Sequence, residues 1–247
     1  MSKIVDRTLD LLELFAAEKR PLTLSDIAHL LKIPISSCHD VVQAMQSRGY
    51  LYEIAPRAGY YPTLRLCAVG KEIGDHDPIL TRTELLLRSL RDTLDETVSL
   101  AKVTGLNATY LLVFDSTHPL RILIKAGDTL RSIYATSGGK ALLSTLDDRT
   151  LVNFLKSTKL VPLTKKTIKS AVDLRKDIES GRKRGWFSNF EESLNGVTTV
   201  SCVFRWNVSV YVVTIAGPSA RLDPKIDAAA LLLTDVCRRL EMQTIAA

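Results

Sequence analysis

An α+β architecture in two domains is what this sequence predicts, and three observations predict it. The first 64 residues carry three amphipathic helical patterns followed by a short aromatic hairpin. The remainder mixes strand-like runs, paired through tight turns, with further helices, which argues for an antiparallel sheet flanked by helices. A length of 247 residues suits one small and one medium domain.

Residues 3–17 read as an amphipathic helix with Ile4, Leu9, Leu12, Phe15 and Ala16 near one face. Thr23-Leu24-Ser25-Asp26 has the form of a capping box, a hydroxyl followed three residues later by an acid. The second helix that it starts would turn Ile27, Leu30 and Leu31 inward. Lys32-Ile33 is a tight turn, and Pro34 suits the first turn of a third helix, where its missing N–H costs nothing. That helix should run to about Arg48, with Gly49 as its left-handed stop. Its apolar positions are Cys38, Val41, Val42 and Met45, at i, i+3, i+4 and i+7. Ser36, Ser37, Asp40, Gln43 and Ser47 stand opposite, side chains compact enough to let a helix backbone approach DNA. Tyr50 to Ile54 reads as a strand, 55–59 as a turn and Tyr60 to Thr63 as the return strand. Three helices and a hairpin with Arg57 at its tip form the winged helix-turn-helix pattern. The candidate DNA contacts are Ser36, Ser37, His39 and Gln43 on the third helix, and Arg57 on the wing.

A linker helix is expected over about 64–80, and an amphipathic helix is marked by Leu85, Leu86, Leu90 and Leu94. The expected strands are 98–104, 109–114, 121–125, 197–205 and 208–216, the last two separated by Trp206-Asn207. Helices are expected over 138–145, 147–156 and 168–184; Gly217-Pro218 should stop the sheet and Asp223 begin a last helix. The domain division is therefore 1–64, a linker at 65–80, and 81–247.

Composition narrows the functions. Apolar residues make up 46% and charged residues 24%, an ordinary globular balance. No apolar run is long enough for a membrane span, and charge stands where a signal peptide needs its apolar stretch, so a cytoplasmic location and no membrane partner are expected. Cys38, Cys67, Cys202 and Cys237 fit no metal-ligand spacing and read as reduced, mostly buried thiols; no metal or cofactor is expected. The net charge is +6, yet residues 1–65 hold eight basic and seven acidic side chains. Bulk charge therefore does not argue for DNA binding; the pattern does. The run from Lys156 to Arg184, ten basic against three acidic, reads as a solvated face.

Several segments then converge on one family. Tyr134-Ala135-Thr136-Ser137-Gly138-Gly139-Lys140-Ala141-Leu142-Leu143 resembles a signature of the isocitrate-lyase-regulator (IclR) family of transcription regulators. So do Arg184-Gly185-Trp186-Phe187 with Glu191-Glu192 and Gly196, and Val213-Thr214-Ile215-Ala216-Gly217-Pro218. Val5 to Leu12 and Ile33 to His39 are similar as well, so the resemblance spans nearly the whole chain in order. It implies a GAF-like effector domain after the winged helix, a homodimer or homotetramer on double-stranded operator DNA, and a small organic- or aromatic-acid effector. The effector residues it implies are Ser137, Gly138, Asn189, Thr199, Thr214 and Ala216. Asn189 and Thr199 depart from relatives of the family that carry Asp and Cys there, Val203 stands where Pro is common, and Asp40 where many have Arg.

Two other functions compete. An enzyme would need a convergent nucleophile, base and orienting group, and no catalytic set can be named. Glu191 and Glu192, adjacent in an expected extended segment, would point to opposite faces. Gly138-Gly139-Lys140 lacks the first Gly and the Ser/Thr of a phosphate loop. A protein-interaction module would use the Lys156 to Arg184 surface.

Overall fold

The computed structural model describes residues 3–245. Two compact units divide between Asp77 and Pro78.

The first unit is a three-helix cluster with a wing. Helix α1 (Lys3–Glu18) buries Leu11 and Phe15, whereas Ile4, Leu9 and Ala16, expected inward, are exposed. Helix α2 (Leu24–Leu31) has its full capping box: the Thr23 hydroxyl accepts from the Asp26 N–H at 3.1 Å, and the Asp26 carboxylate accepts from the Thr23 N–H at 2.9 Å. The carboxylate accepts from the Thr23 N–H and also from the Thr23 hydroxyl at 2.8 Å, and these two bonds favour the ionised Asp26 and hold its carboxyl below the usual range. Ile27 is buried, but Leu30 is largely exposed. Helix α3 (Ile35–Ser47) takes Pro34 as its N-cap, one position earlier than expected, and buries Cys38, Val41, Val42 and Met45 together. Strands β1 (Leu51–Glu53) and β2 (Tyr60–Pro62) pair antiparallel, and Leu22 bridges to Tyr60 to tie the wing to the α1–α2 connection. Helix α4 (Arg65–Asp75) ends before the expected linker does.

The second unit opens with α5 (Pro78–Leu94) and is built on a five-stranded antiparallel sheet. Its strands are β3 (Thr97–Thr104), β4 (Asn107–Phe114), β5 (Phe187–Phe190), β6 (Val197–Trp206) and β7 (Ser209–Pro218), in the order β4-β3-β7-β6-β5. The strand expected over 121–125 does not form; that segment is irregular. Backbone bonds instead hang residues 127–130 on β4, Leu130 N–H to Ala108 O at 2.7 Å among them. β7 continues through Gly217-Pro218 rather than stopping before it. Helix α9 (Ser219–Leu222) and a 3-10 turn (Asp223–Lys225) precede α10 (Ile226–Ile245).

The alternation of the strands gives the sheet two unlike faces. One presents Leu100, Val200, Phe204, Val213 and Ile215 to Leu87 and Leu90 of α5 and Leu233 and Leu240 of α10. The other carries hydroxyls and small residues, and α6 (Ser137–Ser144), α7 (Asp148–Ser157) and α8 (Ala171–Arg184) lie on that side. Cys38, Cys202 and Cys237 are buried thiols, while Cys67 is exposed.

Candidate nucleic-acid interface and effector site

On α3, Ser36, His39 and Gln43 are exposed and follow one another at helical spacing. Gln43, Gln46 and Ser47 line a shallow depression of about 270 Å³. Ser37 differs: it is half-buried and, with Asp40 and Arg48, lines a groove of about 580 Å³ opposite Arg7 and Thr8 of α1. Arg57 is exposed at the wing tip in a left-handed conformation (φ 64°), held by its own N–H donating to Glu53 Oε1 at 2.9 Å. The pattern brings Ser36, His39 and Gln43 onto one solvent-facing stripe. It missed Arg7 and Arg48, cations flanking the groove, because they stand outside the third helix's polar face.

In the second unit the implied effector residues come from distant parts of the chain and converge. α6 starts where Thr136 Oγ1 accepts from Gly139 N–H at 3.1 Å. Two glycines let its first turn sit close, Gly139 against the preceding loop and Gly138 against Leu130 and the sheet. A Cβ on Gly139 would lie 2.1 Å from Ile133 O, and one on Gly138 would lie 3.3 Å from Leu130 Cδ1 and 3.4 Å from Thr214 Oγ1. This close seat puts Ser137 Oγ 2.6 Å from Thr199 Oγ1 and 2.7 Å from Ser201 Oγ, and Ser201 Oγ lies 2.7 Å from Thr214 Oγ1. Strand register sets the rest: Asn189 faces Thr199, Thr199 faces Ala216, and Ser201 faces Thr214, which faces Ser99. Ser201 and Ser99 were not singled out from the sequence; a lone serine in a strand carries no signal of its partners. Asn189 is buried and committed to a turn, its Oδ1 accepting from Glu192 N–H at 2.6 Å and its Nδ2 donating to Ser193 Oγ at 2.8 Å.

Beside this row lies a cavity of about 570 Å³. Tyr110, Asp128, Thr129, Arg131, Ser132, Thr136 and Ser193 give it polar walls, and Leu123, Ile124, Leu130, Leu163 and Leu194 its apolar ones. None of the six implied effector residues lines it. Burial, with Asp128 nearby, pushes the Tyr110 phenol up to about 12, so it stays a neutral donor.

Lys140 is 1% exposed on the same helix and has no solvent role. Its ammonium donates to Glu192 Oε1 at 2.6 Å and Ser188 O at 3.1 Å, and lies 2.8 Å from Asp177 Oδ2. The Gly-Gly-Lys motif is thus an internal anchor from α6 to the 189–193 turn and to α8. Glu191 has φ 59°, so this pair is a bend and not the extended segment expected. The two carboxylates still diverge, Glu191 to Lys166 at 3.2 Å and Glu192 to Lys140. Burial pushes Glu192 up, against the pull of Lys140, while Lys166 and the Gly196 N–H hold Glu191 down.

Among the described residues no helix is long and apolar enough to cross a membrane, and no group of three His, Cys, Asp or Glu is placed to hold a metal ion.

A winged helix joined to a sheet domain with hydroxyls gathered on one face is the build of a transcription regulator with a DNA-binding and an effector domain. Comparison with known proteins makes this specific. The IclR helix-turn-helix domain profile matches residues 4–54, and the bacterial transcriptional regulator IclR C-terminal profile matches 72–240. The chain belongs to the IclR family. It is 26% identical over 220 residues to the transcriptional repressor IclR of Escherichia coli, covering 87% of this chain and 80% of that one. It is 28% identical over 227 residues to the HTH-type transcriptional regulator TtgV of Pseudomonas putida, covering 91% and 85%. Its fold matches an IclR homologue from Microbacterium hydrocarbonoxydans, crystallised with 4-hydroxybenzoate, with a TM-score of 0.80 at 18% identity over 99% of this chain and 100% of that one. The matched domains and relatives are transcription regulators, not enzymes.

Proposed function

We propose that this chain is a ligand-responsive regulator that senses a small organic acid, aromatic acids included, and couples its binding to operator affinity. The division of labour is 1–64 for DNA, 65–80 as linker and 81–247 for the effector. Ser36, Ser37, His39 and Gln43 enter the major groove and Arg57 meets the backbone or minor groove. A homodimer or homotetramer presents two such helices to a palindromic operator whose half-sites lie about 10 base pairs, or a multiple of that, apart.

The observation that carries the sensing role is the convergence of Ser137, Thr199 and Thr214, from three separate segments, into one hydrogen-bonded row beside a 570 Å³ cavity. Cavities of roughly 300–1,000 Å³ with a few placed polar groups are typical small-ligand sites. Gly138 adjoins Ser137 in the first turn of α6, and Asn189 and Ala216 flank Thr199 in the sheet. The 4-hydroxybenzoate bound to the Microbacterium homologue supports an acid of that class. An effector that prefers one arrangement of the domains shifts operator affinity through a coupling of about 1–3 kcal/mol.

The test is thermal unfolding of the purified chain against small organic and aromatic acids, followed by operator mobility shifts with any hit. A ligand at about 100 times its Kd adds ~2.7 kcal/mol to the folded state. A raised midpoint together with altered operator affinity is the expected result. No shift from any acid refutes the sensing role.

A further inference from the structure

Four hydroxyls, Thr199, Ser137, Ser201 and Thr214, are joined by three hydrogen bonds. Each hydroxyl brings one proton, so one donor in the row is left over. Directly across from Thr214 stands Ser99, 1% exposed, whose Oγ has no hydrogen-bond partner. Buried polar groups are normally paired, and an unpaired hydroxyl is free to take a partner from outside the chain. When Thr199, Ser137 and Ser201 each donate toward Thr214, the spare donor is that of Thr214, and this end of the row offers two unspent O–H groups to one incoming oxygen.

That oxygen is not a carboxylate. The row is neutral, and the nearest buried cation on α6, Lys140, is already held by Glu192 and Asp177. An acid group pushed inward would lose its water and gain no counter-charge. The outer cavity holds one: Arg131 lines it together with Asp128, and among the described residues neither Asp128 nor any other carboxylate lies within ion-pair reach of Arg131. Leu130 joins the two compartments. It lines the cavity and is fixed by its backbone to β4, and its methyls pack over Gly138 beside Thr214.

We propose that the site takes a hydroxylated carboxylic acid in one orientation: the carboxylate on Arg131, the apolar body against Leu163 and Leu194 with Leu130 turned aside, and the hydroxyl at Ser99 and the end of the Thr214 row. The inference rests on the acid-sensing reading above and adds the orientation and the residues that set it. Rotamer changes of this kind are common on ligand binding.

The experiment is calorimetric titration of the full chain with 4-hydroxybenzoate, benzoate and 4-hydroxybenzamide. The wild type should bind the first at least about ten-fold more tightly than either of the others, the worth of one satisfied buried polar group or charged contact. Arg131→Gln should lose the preference for acid over amide and keep that for the hydroxyl. Ser99→Ala should do the reverse, and should melt no lower than wild type without ligand, because it removes an unpartnered hydroxyl. Variants that keep both preferences overturn the proposal. So does a wild type that binds another acid but ignores these three, a result that leaves the sensing role intact. Binding of no acid at all sinks the sensing role itself.

Discussion

Replacing Lys140 with methionine tests the buried anchor, and the structure sets both the size and the pH dependence of the effect. The substitution keeps an unbranched side chain, one atom shorter, and removes the charge between Glu192, whose side chain is 10% exposed, and Asp177, at 28%. Asp177 keeps contact with water. Glu192 keeps little, and its Oε2 already lacks a partner. Without Lys140 it either remains an uncompensated buried charge or takes a proton. Protonation is the ceiling on the cost. From an ordinary carboxyl pKa of 4.5, neutralisation at pH 7 spans two and a half pH units at 1.36 kcal/mol each, ~3.4 kcal/mol. At pH 5 the same step costs only ~0.7 kcal/mol. The sign follows from proton counting. Burial raises Glu192 in the folded state, and more so in the variant. Between the unfolded and folded values the folded variant holds a proton that the unfolded chain has released. The variant therefore loses stability as pH rises through that window and regains it on acidification. Urea unfolding of wild type and Lys140→Met at pH 5, 6 and 7 should show a gap that narrows by up to ~2.7 kcal/mol toward pH 5. Adding Glu192→Gln to the variant should flatten that dependence. A gap that is constant with pH, or widest at pH 5, refutes the reasoning.

Three further outcomes are expected. Gly139→Ala sets a Cβ 2.1 Å from Ile133 O, a backbone atom that cannot swing away, and should cost ~3 kcal/mol or more, whereas Gly138→Ala, meeting Leu130 Cδ1 at 3.3 Å, should cost under ~1 kcal/mol; thermal melts in the opposite order contradict the seat of α6. Thr23→Ala removes the α2 cap and should lower stability by ~1 kcal/mol in urea titration; no change would mean that the box is idle. Ser36→Glu and Gln43→Glu, both on the exposed stripe of α3, should weaken operator binding ten-fold or more in mobility shifts while leaving the melting point in place, since a carboxylate there meets the phosphates. Unchanged affinity would remove these residues from the interface.

The recognition helix was legible because one apolar stripe has one solution: Cys38, Val41, Val42 and Met45 can only be buried together. Helix α1 was legible as a helix but not in its facing. It carries apolar residues on nearly every side, so periodicity could not choose Leu11 and Phe15 over Ile4 and Leu9; tertiary contact chose. The 121–125 segment alternates like a strand, yet the edge of β4 is already met by 127–130, and alternation without a free partner makes no strand. β5, four residues with Ser and Asn at its centre, was too short and too polar to read. The row of hydroxyls on the sheet was reachable only through resemblance. Ser137 meets its partners 62 and 64 residues away, and Lys140 meets Glu192 at a separation of 52. Spacing within a motif cannot report such pairs.

The hydroxyl row and the ion anchor share the first turn of one short helix. Ser137 stands in the first turn of α6 against the sheet, and Lys140 in the same turn holds α8 through Asp177 and the 189–193 turn through Glu192. Asn189 closes the circuit, since it lies in the sheet opposite Thr199 while its side chain accepts the Glu192 N–H. A group that displaces Ser137 from Thr199 therefore cannot do so alone. The helix has no slack at Gly139, where the backbone of Ile133 fills the space of a Cβ, and its ammonium is bound at 2.6 and 2.8 Å. Packed and ion-paired elements of this kind shift between discrete arrangements more readily than they deform. The neutral row is suited to recognising a ligand, because its hydroxyls can reorient at little cost. The charged anchor is suited to registering it, because a displaced buried charge is expensive. Separating the two jobs within one helical turn lets a weakly polar contact act on a strongly coupled one.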